Sequence, residues 1–280
     1  PPPPPAQSVR GALSEQLFNA LQSTLGLENA LATSSKTPTL EACRRRVRKS
    51  VTRKGRLNWR KIFNDKLPVK LELASGTGDW VVAQALADTG RANWAAVELR
   101  HDRVYAMLSR VVLRSVGGLA LIGAEGTVLL RDHVRRQSVA HIFVNFPEPP
   151  HRTGDELSDG IHMLTDDFFC AAHRALARHG RVTIFSDNLR YCRSLAASVG
   201  GLRSKRGAPL FASVKLEDAQ HAEDGFEEVA GIRLQYGAPG ETAGHEVDAP
   251  SYFERFFDAR PDWEGGKHVL ERCFLLLERA

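Results

Sequence analysis

The stretch Val69-Lys70-Leu71-Glu72-Leu73-Ala74-Ser75-Gly76-Thr77-Gly78-Asp79-Trp80 decides how this chain reads. A short apolar run is followed by a Gly-x-Gly turn, where the backbone can bend tightly and approach a ligand, and then by a helical pattern near residues 80–88. Strand, glycine turn and helix in that order form the first unit of a parallel sheet, with the turn at the sheet's carboxyl edge.

The same alternation continues outward. Residues 94–98 read as a strand before a helix near 102–116, and 119–122 as a strand before a helix near 127–136. A strand at 140–144 is followed by a long loop and a helix near 166–178, and one at 181–185 by a helix near 189–198. Five β-α repeats predict an α/β domain whose parallel sheet is covered on both faces. After Gly200, extended pieces near 212–216, 229–234 and 273–277 predict an antiparallel edge.

Upstream, residues 1–5 are all proline and read as a linker remnant. Val9, Leu13, Leu17, Leu21 and Leu25 recur every fourth position, predicting a helix with one apolar stripe that packs on the main domain or on a protein partner. A joint rich in Ser and Thr, at 33–39, leads into a basic arm. The expected organisation is an extension over 1–56 and a folded domain over 57–280.

Composition bounds the reading. With 280 residues, 42% apolar and 25% charged, the chain is neither wholly disordered nor fibrous. It lacks the run of about 18 apolar residues that a membrane helix needs. Cys43, Cys170, Cys192 and Cys273 lie far apart, which argues against a zinc site and fits a reducing compartment. The first residue is Pro1 rather than methionine, so trimming is expected and the compartment is open. Ten basic residues and no acid lie between 44 and 61; removing them from the net charge of +5 leaves −5 for the remainder. Such an acid-free run suits phosphate, and nucleic acid above all.

The glycine turn discriminates between nucleotides. A dinucleotide fingerprint needs a third glycine at position 81, which is Val81 here. An acidic residue on the strand, Glu72, with Gly76 and Gly78 is the pattern of S-adenosylmethionine (SAM) methyltransferases. Glu98, twenty residues after Gly78 at the end of the second strand, stands where a carboxylate accepts both ribose hydroxyls. At the end of the fourth strand, Asn145-Phe146-Pro147-Glu148-Pro149-Pro150-His151-Arg152 is a stiff loop expected over the cofactor mouth.

Several segments occur together in order. They are Asn58-Trp59, the 72–78 turn, Val97-Glu98-Leu99-Arg100, Asn145-Phe146-Pro147-Glu148-Pro149, Ser186-Asp187-Asn188 with Tyr191, and Ser251-Tyr252-Phe253-Glu254. This set resembles the tRNA (guanine-N7)-methyltransferase family over about residues 57–280. The resemblance implies a Rossmann-like class I SAM-dependent methyltransferase with a mostly parallel, seven-stranded sheet and helices on both faces. It further implies SAM as cofactor, bound by Glu72, Gly76, Gly78 and Glu98, with Glu125 or its neighbour Ala124 near the adenine. Glu148 matches the carboxylate taken as catalytic, and Arg152, Asp187, Ser251 and Glu254 match positions that contact the target nucleoside. A metal has no place in this set. The implied substrate is tRNA, with rRNA second, in the cytoplasm or nucleus, or alternatively a mitochondrion.

The chain departs from the family pattern at Ala74, usually glycine, at Glu148, usually aspartate, and at Pro150, usually tryptophan. The basic stretch after the loop is replaced by one containing Asp155, Glu156 and Asp159. The competing expectation is a methyltransferase-like assembly factor of a ribonucleoprotein, such as an organellar ribosome, that has lost turnover.

Overall fold

The computed structural model describes residues 45, 48–150, 162–216, 225–247, 249 and 272–280. The chain divides into two compact units, Pro1–Arg48 and Lys49–Ala280. Only Arg45 and Arg48 of the first are described, so the expected helix at 9–25 and the proline stub lie outside the described residues.

The second unit opens with a turn that closes on itself. Val51 bridges Leu57, and the Asn58 amide donates to the Ser50 carbonyl at 2.8 Å. After helix α1 (Trp59–Phe63), strands and helices alternate as β1 (Val69–Leu73), α2 (Asp79–Ala87), β2 (Asn93–Glu98), α3 (His101–Leu113) and β3 (Leu119–Gly123). A short helix α4 (Gly126–Val128) runs into a π turn, Leu129–His133, and then come β4 (Val139–Asn145), α5 (Asp166–Ala175), β5 (Leu176–Ser186) and α6 (Leu189–Gly201). The last strands are β6 (Phe211–Ser213), β7 (Phe226–Val229), β8 (Ile232–Tyr236) and β9 (Cys273–Arg279).

The described strands form one sheet in the order β3-β2-β1-β4-β5-β9-β8-β7, with β6 also on β9. The first five are parallel, whereas β9, β8, β7 and β6 pair antiparallel. Side chains alternate between the faces, as the pleat demands. On β2, Trp94 and Ala96 join Trp80, Met107 and Phe143 under α2 and α3, while Ala95 and Val97 join the larger core with Phe168, Phe169 and Leu195 under α5 and α6.

The class I methyltransferase architecture is therefore present, but the sheet has nine strands among the described residues rather than the expected seven. Two local causes account for the difference. β6 and β8 share the outer edge of β9, one along Leu277–Arg279 and the other along Cys273–Leu275. The run expected as one strand at 229–234 is a hairpin, in which Ala230 and Gly231 both have positive φ, 51° and 79°, as a two-residue turn of the I′ kind requires. The helix expected to reach residue 178 stops at Ala175, because Leu176 pairs with Val139 and begins β5.

Candidate active site

In this order β1 and β4 are neighbours, and the chain leaves their carboxyl ends toward opposite sides of the sheet. Ligands bind at such a switch point because the two loops part there. The cleft that opens has a volume of about 280 Å3 and is lined by Glu72, Gly76, Gly78, Arg103, Asn145 and Phe146, among others.

Left-handed backbone shapes the turn. Ala74, Gly76 and Gly78 have φ of 56°, 57° and 78°. At Gly78, the N-cap of α2, a Cβ would run into the Met107 side chain, whereas around Gly76 there is open space. Ser75 ties the turn to both strands, donating from Oγ to the Glu72 carbonyl at 3.0 Å and accepting from the Val97 amide at 3.2 Å. Ala74 carries a Cβ where the left-handed region costs an L-residue about 1–2 kcal/mol. Glycine's larger unfolded entropy offsets about 0.4–1 kcal/mol of that. Ala74→Gly is expected to stabilise the protein by about 0.5–1 kcal/mol, raising the calorimetric midpoint by about 1–3 °C. A lower midpoint would contradict the strain assigned to Ala74.

Glu72 is the electrostatic centre. It is 3% exposed, and its Oε1 accepts from Asn145 Nδ2 at 3.0 Å. Glu72 Oε2 and Asn145 Oδ1 are buried and have no partner among the described residues. Burial pushes the carboxyl up to about 8; the hydrogen bond from Asn145 pulls the other way, and the charges of Glu98 and Asp79 add to the rise. Asn145 Oδ1 is a buried acceptor beside an open glycine turn, and Glu72 Oε2 becomes a second one when a ligand that brings donors or positive charge favours the carboxylate. The methionine-derived end of SAM, with its ammonium and sulfonium, has that chemistry, so these residues fit the cofactor.

Glu98, 4% exposed, stands behind the turn. Its Oε2 accepts from the Gly76 amide at 2.8 Å and its Oε1 from the Arg100 amide at 2.9 Å, with Arg103 Nη1 at 3.9 Å. Glu125 caps α4, its two oxygens accepting from the Thr127 and Val128 amides at 2.8 and 2.6 Å. Asp187 follows β5 and is half-buried, ahead of Asn188, whose Oδ1 caps α6 through the Tyr191 amide at 2.9 Å. The Tyr191 hydroxyl is buried without a partner among the described residues. Glu148 is exposed on the loop after β4.

The structure thus brings Glu72, Gly76 and Gly78 to one cleft, places Glu98 against its glycine turn, and leaves Glu125 as a helix cap. Arg152, Ser251 and Glu254 lie outside the described residues. The sequence patterns give Asn145 no role, although it belongs to the Asn-Phe-Pro-Glu-Pro segment. Its signal is its place at the end of β4, one residue past the Leu73–Val144 pairing. Phe146 beside it has φ 51°, a conformation uncommon for a bulky residue, and it packs on Phe185 at 4.7 Å. Among the described residues no group of His, Cys, Asp and Glu could hold a metal ion.

Residues 66–236, more than half of the chain, match a family described as "Putative methyltransferase". The tRNA (guanine-N(7)-)-methyltransferase of Chlamydia muridarum is 34% identical over 160 residues, covering 56% of this chain and 69% of its own length. That of Chlamydia trachomatis is 36% identical over 134 residues, covering 48% of this chain and 58% of its own. An rRNA methylase structure from Streptococcus thermophilus spans 77% of this chain and 88% of its own at 12% identity, with a TM-score of 0.41, too loose a likeness for any conclusion. The long family match and the identity to the first relative agree with a glycine-turn cleft at the switch point of a mostly parallel sheet: the chain belongs to the tRNA (guanine-N7)-methyltransferase family, enzymes that use SAM on the class I methyltransferase fold.

Proposed function

We propose that this protein transfers the methyl group of SAM to N7 of a guanine in tRNA. The observation that carries this reading is the pair of buried, unpartnered oxygens, Glu72 Oε2 and Asn145 Oδ1, beside the open turn at Gly76. SAM supplies an activated methyl group on a positively charged sulfur. Glu72 and Asn145 hold its polar end, Gly76 and Gly78 allow backbone approach, Glu98 receives the ribose hydroxyls, and Glu125 or Ala124 borders the adenine.

Guanine N7 carries an in-plane lone pair, so no base must remove a proton and alignment supplies most of the rate. The ring becomes positive as the methyl arrives. Glu148 stabilises that charge, while Arg152, Asp187, Ser251 and Glu254 hold the nucleoside. Glu254 accepts from both N1–H and the exocyclic amine, a donor pair that adenine lacks.

Phosphate contacts come from the basic arm over 44–61, with one exception. Arg56 donates from Nη1 to the carbonyls of Arg131 and Val134 at 2.8 and 3.0 Å, and so acts as a strap on the π turn. The division into an extension over 1–56 and a methyltransferase domain over 57–280, a protein partner for the 9–25 stripe, and rRNA as a second substrate belong to the same proposal. No helix among the described residues is long and apolar enough to cross a membrane. A substrate of this class places the protein inside the cell, in the cytoplasm or nucleus or else a mitochondrion. The reading as an assembly factor without turnover is not favoured, since the relatives carry the enzyme's name.

The test is nucleoside mass spectrometry on tRNA treated with protein and SAM, with N7-methylguanosine expected. Glu148→Gln should lower the single-turnover rate about tenfold with SAM affinity intact, a modest loss because an exposed charge acts through water. Glu254→Ala should chiefly weaken capture of the RNA, by about 1–3 kcal/mol for donors left unpaired. Absence of N7-methylguanosine from every RNA tried would refute methyl transfer to guanine.

A further inference from the structure

The sheet has a second charged edge. At the amino ends of β1, β2, β4 and β5, opposite the cofactor cleft, a groove of about 490 Å3 is lined by Arg60, Lys66, Val69, Asn93, Arg135 and Arg136, among others. A neighbouring hollow, lined by Thr52, Arg53, Lys54, Arg56 and Arg135, shares Arg135 with it. Two stretches far apart in sequence, 52–68 and 135–138, therefore build one continuous basic surface.

The clustering of unpaired cations marks this surface. Some exposed arginines lie against carboxylates, as in Arg100–Asp102 at 2.8 Å, Arg131–Asp132 at 3.0 Å and Arg193–Glu227 at 2.6 Å, and others, such as Arg114, Arg190 and Arg206, make no ion pair among the described residues. Here six exposed cations, Arg53, Lys54, Arg60, Lys66, Arg135 and Arg136, line two adjoining hollows and make no ion pair among the described residues. The acid that lines the groove, Asp65, is held internally, its Oδ1 accepting from the Leu67 amide at 3.0 Å and from Asn93 Nδ2 at 2.6 Å. The floor is also fixed: Trp59 is 8% exposed and donates from Nε1 to Ser138 Oγ at 3.3 Å. Exposed cations on a rigid frame suit a polyanion whose charges repeat along its length.

We propose that this amino-edge groove binds the phosphodiester backbone of a second segment of the RNA whose guanine enters the cofactor cleft. The proposal rests on the RNA methyltransferase reading. β4 has seven residues and lies between the two sites, and at about 3.3 Å per residue they are roughly 23 Å apart. A short hairpin carrying the target guanosine cannot reach both, whereas a folded tRNA can. The groove thus makes the enzyme prefer an extended, folded RNA, a form of selection that the cleft alone cannot provide.

The test compares wild type with the triple variant Lys66→Gln, Arg135→Gln, Arg136→Gln, on full-length tRNA and on a hairpin bearing the same guanosine, at several salt concentrations. For full-length tRNA the triple variant should bind at least about tenfold more weakly at 0.1 M salt. The slope of log K against log salt should fall in magnitude by about 2–3, at about 0.9 for each duplex phosphate that is no longer neutralised. Hairpin affinity and SAM affinity should stay within about twofold, and thermal midpoints should match, since only exposed side chains change. Equal slopes and affinities for variant and wild type on full-length tRNA would overturn the groove, as would an equal loss on the hairpin. The underlying reading fails separately. If no N7-methylguanosine forms yet the slope difference persists, methyl transfer falls and the RNA groove stands.

Discussion

Glu72→Gln is expected to stabilise the cofactor-free protein at neutral pH while removing most of its affinity for SAM. The folded carboxyl is raised to about 8 from a reference of 4.5, chiefly by burial. Between those values the folded protein keeps a proton that the unfolded chain releases, so stability is greatest below pH 4.5 and falls as pH rises toward 8. By pH 7 this costs roughly 3 kcal/mol, at about 1.4 kcal/mol per pH unit. Glutamine does not ionise. The variant's unfolding free energy should therefore exceed wild type's at pH 7.5 and converge with it near pH 5, the amide's own desolvation making the gain smaller than the full figure.

Binding should respond with the opposite sign. A cationic ligand favours the carboxylate, so wild-type SAM affinity should tighten as pH rises from about 6 to 8, with proton release on binding. Titration calorimetry in two buffers of different ionisation enthalpy measures that release. Glu72→Gln should release none and bind about a hundredfold more weakly, the order expected for two charge-assisted contacts at about 1.5–3 kcal/mol each, less what the amide retains. If the variant keeps wild type's pH profiles of stability and binding, Glu72 is not the group that titrates.

Glu98→Ala should be nearly as damaging, for two reasons that reinforce one another. The proposed ribose hydrogen bonds disappear, at about 1.5–3 kcal/mol each. The acceptors for the Gly76 and Arg100 amides go as well, so the turn loses the tie that sets its shape. At least a tenfold loss of SAM affinity is expected, and about a hundredfold if both ribose hydroxyls are held. The domain should remain folded, because Ser75 still joins the turn to β1 and β2. Unchanged affinity in a folded variant would remove Glu98 from the pocket. Glu98→Gln provides a graded comparison, since it keeps an acceptor but not the charge.

Glu125 shows how far a matched position can be read. Its place beside Ala124 is visible in the motif order, but its two hydrogen bonds to the Thr127 and Val128 amides depend on where α4 starts. The arm gives a similar lesson. Its ten cations look equivalent along the sequence, yet Arg56 is committed to two carbonyls of the π turn while Arg53, Lys54 and Arg60 remain exposed. Folding also recruits Lys66, Arg135 and Arg136 to the same surface, which a scan for charge runs misses because they lie outside the run.

The order of strands and helices from β1 through α6, the glycine turn and the carboxylates at the ends of β1 and β2 were determined by the sequence alone. Buried parallel strands are short apolar runs bounded by turns, and the turn needs residues that tolerate positive φ, so local pattern carries that information. Tertiary structure alone decided the pairing within the antiparallel edge that the sequence predicts, where one glycine at 231 did not reveal a hairpin and β6 and β8 share a partner strand. It also decided the end of α5, because the pairing of Leu176 with Val139 outweighs helix propensity. The raised pKa of Glu72 and the amino-edge groove belong to the same class. Desolvation and charge density depend on distances between segments far apart in the chain, and those distances exist only once the sheet has formed.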